Sequence, residues 1–223
     1  MDHPVALLRA ENAIRLPWIS QIILKHYPHA KVLDVGCGAG LLSNPLAKQG
    51  LDVTGIDLSE NSLTVAKMYD ATKTVKYLHA DAEKLPFENE SFDVVCALDL
   101  LEHVENPETV ILEAARVLKK DGLFFFHTFN RNFLSYLLII KGVEWAVQNT
   151  PEKMHIYRLF IKPQEMRAFC KNASLDIQEM LGLKPKIFSL SLFKMLIQRK
   201  VPENFRFEFS RSLLTGYIGF AKK

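Results

Sequence analysis

The sequence predicts an α/β fold, a mostly parallel sheet of seven strands with helices on both faces. Short β-branched and aliphatic runs alternate with helix-length amphipathic segments from Lys31 to Thr128, which is the mark of repeated βαβ units. Several of those runs are apolar on both faces, as strands covered on both sides must be. The length of 223 residues, with 48% hydrophobic and 24% charged, is enough for one domain over 1–223 with a sizeable core.

Taken in order, strands are expected at 31–35, 52–56, 75–79, 92–97 and 123–128. Two closing strands, 175–180 and 213–220, make seven, the last weakened by Gly216 and Gly219. Between the strands, 41–49 reads as a helix closed by Gly50, and Ser59 is placed to cap a helix over 60–69. Asn106-Pro107-Glu108 opens a further helix with a cap, a preorganised first residue and a negative charge near the positive helix end. Asp121-Gly122 then turns the chain into the next strand. Residues 129–160 are rich in aromatics and fit no βαβ unit, so they are expected to form an insertion over the active site, after which Lys162-Pro163 starts a helix running through Lys171.

Bulk properties narrow the partners. A formal charge of +3 with no run of Lys or Arg gives no reason to expect nucleic acid. Cys37, Cys96 and Cys170 are odd in number and far apart, which makes neither a disulfide framework nor a zinc site and suits a reducing cytoplasm. Residues 1–10 carry an early Asp2 and no long apolar run, so no secretory signal is expected there. The apolar stretch 133–140 is far shorter than the roughly 20 residues that cross a bilayer. It is long enough to lie on one.

The strongest motif is Val32-Leu33-Asp34-Val35-Gly36-Cys37-Gly38-Ala39-Gly40, a strand that runs into a loop with glycine at alternate positions. Gly36, Gly38 and Gly40 let the backbone turn tightly and approach a ligand. A dinucleotide fingerprint would need its third glycine at Leu41 and would not set an acid at the strand end. Asp34 would repel a pyrophosphate but attract an ammonium, and S-adenosylmethionine carries both an ammonium and a sulfonium. About twenty residues on, Asp57, with Leu58 beside it, ends the second strand where a carboxylate accepts both ribose hydroxyls. Asp81, beside the backbone of Ala82, follows the third strand and is placed to accept from an adenine amino group. Each acid also has a plainer reading: Asp34 as a cap of the next helix, Asp57 as a loop acid, Asp81 as a solvated turn residue.

These residues, with Phe92-Asp93-Val94-Val95 opening the fourth strand, resemble the class I methyltransferase family with its Rossmann-like fold. Leu101-Glu102-His103-Val104, Thr128-Phe129-Asn130-Arg131-Asn132, Lys141-Gly142-Val143-Glu144-Trp145 and His155 ahead of Phe160-Ile161-Lys162-Pro163 further resemble the ubiquinone-biosynthesis O-methyltransferases. Ala39, Asp99 and Phe129 depart from residues common in that family. The resemblance implies methylation of a ring hydroxyl on a polyprenylated, catechol-type phenol or quinol at the cytoplasmic or matrix face of a membrane, here the cytoplasmic one, alongside other enzymes of ubiquinone biosynthesis. It also implies that Arg15, within Asn12-Ala13-Ile14-Arg15-Leu16, meets the methionine carboxylate, for which a planar guanidinium is suited. Leu98 maps onto a further cofactor contact.

A phenol of pKa about 10 is a poor nucleophile at neutral pH until a base or a metal takes its proton. His103 is the expected base, with Asp99 in the same catalytic segment. The other expectation is that Asp99, Glu102 and His103 bind a divalent cation such as Mg, since residues three and four apart share a helix face. The insertion is expected to be either a buried lid over the substrate or a membrane contact made by 133–140 and Trp145. His79, His127 and His155 are read as structural. Two rival functions stay open: a class I methyltransferase for a soluble small molecule, and a binding module without turnover.

Overall fold

In the computed structural model, residues 5–142, 156–186 and 190–223 are described. Helix α1 spans Val5–His26 and leads into β1 at Lys31–Val35. There follow α2 (Ser43–Lys48), β2 (Asp52–Asp57), α3 (Glu60–Tyr69), β3 (Lys76–His79) and β4 (Phe92–Leu98). A 3-10 turn, Leu101–His103, precedes α4 (Pro107–Val117) and β5 (Leu118–Phe129). The remaining elements are α5 (Phe133–Ser135) with a π-helical turn at Tyr136–Gly142, another 3-10 turn at Tyr157–Leu159, α6 (Pro163–Asn172), β6 (Asp176–Pro185), α7 (Leu190–Gln198), β7 (Phe207–Ser210) and β8 (Gly216–Lys222).

The strands form one sheet in the order β3-β2-β1-β4-β5-β8-β6-β7. Strands β1 to β5 pair in parallel, while β8 runs antiparallel between β5 and β6. The α/β reading holds, with eight strands rather than seven: Phe207–Ser210 adds an antiparallel edge on β6. That strand alternates apolar and polar residues, Phe207-Glu208-Phe209-Ser210, but over only four residues, all of them half-buried at the sheet edge, so its signal was short. After β3 the chain crosses β1 to form β4, so successive crossovers run in opposite directions from the β1/β4 junction. A crevice opens there, beyond the carboxyl ends of the strands.

Two apolar layers cover the sheet. On one face α4 and α6 pack Val110, Ala114, Met166 and Cys170 onto Leu33, Val95, Phe124 and Phe126. On the other, α1 and α2 pack Ile19, Ile23 and Leu46 onto Val32, Val94, Cys96 and Phe125. Alternate residues of β5 therefore serve opposite layers, as strand geometry requires. Helix α1 was not expected as a helix, because apolar residues occur around its circumference and Pro17 lies inside it. Its buried stripe, Glu11, Arg15, Ile19 and Ile23, still repeats every four residues, with two charged residues in line with two isoleucines.

Local signals were mostly met. The Ser59 hydroxyl accepts from Ser62 N–H at 3.2 Å and caps α3. Pro107 is the first residue of α4 as expected, but the Asn106 side chain makes no cap bond. Phe129, expected to start the insertion, still belongs to β5 opposite Gly216. Beyond it Phe129, Ile140 and Phe160 form a small cluster, and Arg131 ties the segment down through Glu165 and the carbonyl oxygens of Arg158 and Phe160. Trp145 and His155 lie outside the described residues.

The α1 layer depends on Phe125, which is fully buried, stacks on Phe220 at 5.6 Å and meets the edge of Trp18 at 5.9 Å. Truncating such a ring costs about 3–5 kcal/mol. Phe125→Ala is expected to lower unfolding stability by that amount in urea melts while leaving the opposite layer packed.

Candidate functional site

The crevice is floored by the loop that follows β1. Gly36 adopts φ +70°, and a Cβ there would come within 2.9 Å of the Leu100 side chain, so this glycine lets the loop touch the segment after β4. Gly40 adopts φ +76°, and a Cβ would strike the Tyr77 hydroxyl at 2.5 Å and Asn44 Nδ2 at 2.9 Å. Side chains are thus excluded at both ends of the loop. Asn44 fastens the turn by donating to Ala66 O while its own Oδ1 accepts from the Tyr77 hydroxyl. Asn12 of α1 reaches over to donate to Leu41 O at 2.7 Å.

Three acids stand at the strand ends. Asp34 is 3% exposed, and its Oδ2 accepts from the Ser43 hydroxyl at 2.5 Å. Burial pushes its carboxyl up to about 7, against the pull of that hydroxyl. Ser43 begins α2, so Asp34 anchors the next helix from the end of β1. Asp57 Oδ2 accepts from Gly38 N–H and Oδ1 from Ser59 N–H, both at 2.8 Å. It therefore fixes the glycine loop against β2, and each oxygen keeps a further lone pair for a diol. Leu58 stands out into solvent beside it, while Ala82 is buried. Asp81 is exposed and accepts from Glu83 N–H at 2.9 Å, a turn residue at the crevice rim. A buried acid, an acid tied to a glycine N–H and the open space at Gly38 suit a ligand with an ammonium at one end and a ribose at the other.

The end of β4 differs from expectation. Leu98 is buried, and Asp99 takes a left-handed backbone with φ +55°. Its carboxylate turns toward α1 and β5, where Oδ1 accepts from Arg15 Nη1 at 2.8 Å and meets His127 Nδ1 at 2.5 Å. Arg15 is itself buried, with Glu11 at 3.6 Å, so its guanidinium is engaged by Asp99; its Nε has no hydrogen-bond partner among the described residues. Burial opposes the Asp99 charge, but Arg15 and His127 hold this carboxyl well below the usual range. Burial pushes Glu11 up to about 8, which leaves it neutral at pH 7.

The expected cation ligands Asp99, Glu102 and His103 are not brought together. Only Leu101–His103 is helical, as one 3-10 turn, so the four-residue spacing of an α-helix does not apply. Asp99 points to Arg15; Glu102 is fully buried beside Thr128, with no hydrogen-bond partner for either oxygen among the described residues; His103 faces solvent. Burial pushes the Glu102 carboxyl up to about 8. Among the described residues the acids and histidine whose ligand atoms lie within 4.8 Å of one another are Glu11, Asp99 and His127. Arg15 Nη1 sits among them, 3.2 Å from His127 Nδ1, so the guanidinium supplies the positive charge there. The residues present do not fit a divalent cation.

His103 keeps the properties of a base. Its ring reaches solvent, yet the surrounding protein lowers its pKa below the ordinary value against the attraction of Asp99, so it is neutral at pH 7. Two residues of the site were missed from sequence. Glu11 and His127 each sit at an apolar-stripe position, one in α1 and one in β5, and a charged or polar residue in such a stripe is the signal that was available.

The family model described as a methyltransferase domain matches residues 33–126. The chain is 41% identical over 189 residues to the ubiquinone biosynthesis O-methyltransferase of Azoarcus sp. (strain BH72), covering 81% of this chain and 79% of that one. It is 43% identical over 178 residues to the protein of the same name from Dechloromonas aromatica (strain RCB), covering 77% and 75%. Among solved structures, magnesium protoporphyrin IX methyltransferase from Synechocystis PCC 6803, with bound SAH, superposes with a TM-score of 0.65 at 19% identity, over 96% of this chain and 83% of that chain. This degree of identity over more than three quarters of the chain gives one conclusion: the chain belongs to the ubiquinone biosynthesis O-methyltransferase family.

Proposed function

We propose that this chain transfers the methyl group of S-adenosylmethionine to a ring hydroxyl of a polyprenylated, catechol-type phenol or quinol. The observation that carries the cofactor reading is the pair of carboxylates at neighbouring strand ends, Asp34 buried and Asp57 tied to Gly38, around a loop that excludes side chains. The names of the relatives support the acceptor. S-adenosylmethionine supplies an electrophilic methyl on a sulfonium. Asp34 faces the ammonium, Asp57 and Leu58 the ribose, Asp81 and Ala82 the adenine, and Arg15 borders the methionine end through its pairing with Asp99.

His103, neutral at pH 7, takes the proton of the reacting hydroxyl as its oxygen attacks the methyl in line. The new O–C bond forms as the S–C bond breaks, and the proton stays on the imidazole until solvent removes it. Asp99, ionised throughout, accepts a hydrogen bond from the neighbouring ring hydroxyl, which orients the acceptor without a metal. Wild-type protein is expected to methylate a short-chain demethylubiquinol in a labelled-methyl assay without added divalent cation. His103→Ala is expected to lower kcat about 10²- to 10⁴-fold, the range for loss of a general base. Full turnover by that variant would refute the base, and turnover of soluble phenols alone would favour the rival acceptor class.

Because Asp34 must be charged to hold an ammonium, affinity for S-adenosylhomocysteine is expected to rise with pH through about 7 and then level off. Isothermal titration across pH 6 to 8.5 reads this, with Asp34→Asn losing that dependence and on the order of 10-fold in affinity.

The described part of the insertion presents an apolar surface: Phe133 is 72% exposed and Leu138 50%, with Leu134, Leu137 and Ile156 also open. No described helix is long and apolar enough to cross a membrane. Such a patch suits a contact with the bilayer surface that passes a prenyl tail into the crevice. Co-sedimentation with anionic liposomes is expected for the wild type and is expected to be lost when Phe133, Leu134, Leu137 and Leu138 become serine. Equal binding by both would return the segment to the role of a lid.

A further inference from the structure

His127 stands in β5 after four apolar residues, on the face that packs against α1, and is completely buried. Its ring is held on three sides. Phe129 meets it edge-on at 5.5 Å, a Cβ at Gly216 would lie 3.2 Å from Nε2, and Asp99 Oδ1 is 2.5 Å from Nδ1. Since Asp99 is ionised, Nδ1 carries the hydrogen and donates, and Nε2 keeps its lone pair with no partner among the described residues. Burial keeps the ring neutral. An imidazole in an apolar layer with one nitrogen unpaired is costly, roughly 1–3 kcal/mol, so the core gains nothing from it.

What the ring does is fill the second donor position on Asp99 Oδ1, the first being Arg15. Oδ2 then has no hydrogen-bond partner among the described residues, and the Asp99 side chain, 21% exposed, is the open end of an otherwise closed cluster. Asp99 has a left-handed backbone and directly precedes Leu100, whose side chain packs on the loop at Gly36, so the partly exposed carboxylate stands at the crevice end of β4.

We propose that His127 is a positioning residue: by donating from Nδ1 to Asp99 Oδ1 it locks this carboxylate so that Oδ2 alone is offered to the acceptor's neighbouring hydroxyl. This rests on the role given above to Asp99. The lock makes the chain selective for acceptors with two adjacent ring hydroxyls, since a monophenol leaves Oδ2 without a donor.

The pairing and its consequence are tested separately. In ¹⁵N-histidine-labelled protein, His127 is expected as a neutral Nδ1–H tautomer whose hydrogen-bonded proton lies far downfield and is lost in Asp99→Asn. An Nε2–H tautomer overturns the proposal whichever acceptor is methylated. In kinetics, His127→Leu is expected to lower kcat on the order of 100-fold with the catechol-type acceptor, with S-adenosylhomocysteine affinity and thermal midpoint little changed. His127→Asn, whose amide keeps a donor near the Nδ1 position, is expected to recover most of that loss and to retain the preference for a catechol over a monophenol. Equal loss in both variants, or full activity in His127→Leu, overturns the proposal. A wild type inactive on the quinol but showing the Nδ1–H tautomer would instead fail the acceptor assignment.

Discussion

Carboxylates at the carboxyl ends of parallel strands are taken out of water, and each must then find donors inside the protein. That constraint organises the site. Asp34 takes the hydroxyl of Ser43, Asp57 takes the N–H groups of Gly38 and Ser59, and Asp99 takes Arg15 and His127. Each bond also fastens a separate piece of chain: the start of α2, the glycine loop, and helix α1. The bonds that satisfy these carboxylates are therefore the same ones that tie the crevice walls together. Glu102 and Glu11 show the other outcome, since burial without a full set of donors drives each toward the neutral acid.

The strand order makes this economy possible. Because β1 and β4 are neighbours and their crossovers leave in opposite directions, the loops after them separate and expose their backbone. Gly36 and Leu100 then meet across the crevice, one from each loop. Helix α1 closes the far side, with Asn12 on the loop after Gly40 and Arg15 on Asp99. A guanidinium at that position supplies a fixed positive charge, and its planar donors constrain the carboxylate.

Much of this was legible from residue order. The five parallel strands, the α3 cap at Ser59, the Pro107 start of α4 and the glycine loop with its acids all depend on neighbours within a few positions, where local physics is strong. Helix α1 and the edge strand β7 were missed for the converse reason. An all-round apolar helix containing a proline, and a short half-buried strand, acquire their identity only from what they pack against.

The sequence by itself determined the βαβ order, the glycine loop, and two acids about twenty residues apart, which together specify the cofactor class. Only the tertiary structure decided the company of Asp99. Arg15 lies 84 residues away and His127 28 residues away, and no local pattern links them. They meet because α1 docks on the sheet face that β5 presents at His127, and because one left-handed residue after β4 turns a carboxylate inward. The same turn dispersed Asp99, Glu102 and His103, whose spacing had suggested a shared helix face: a 3-10 turn has a different period from an α-helix, and the choice between them was made by packing.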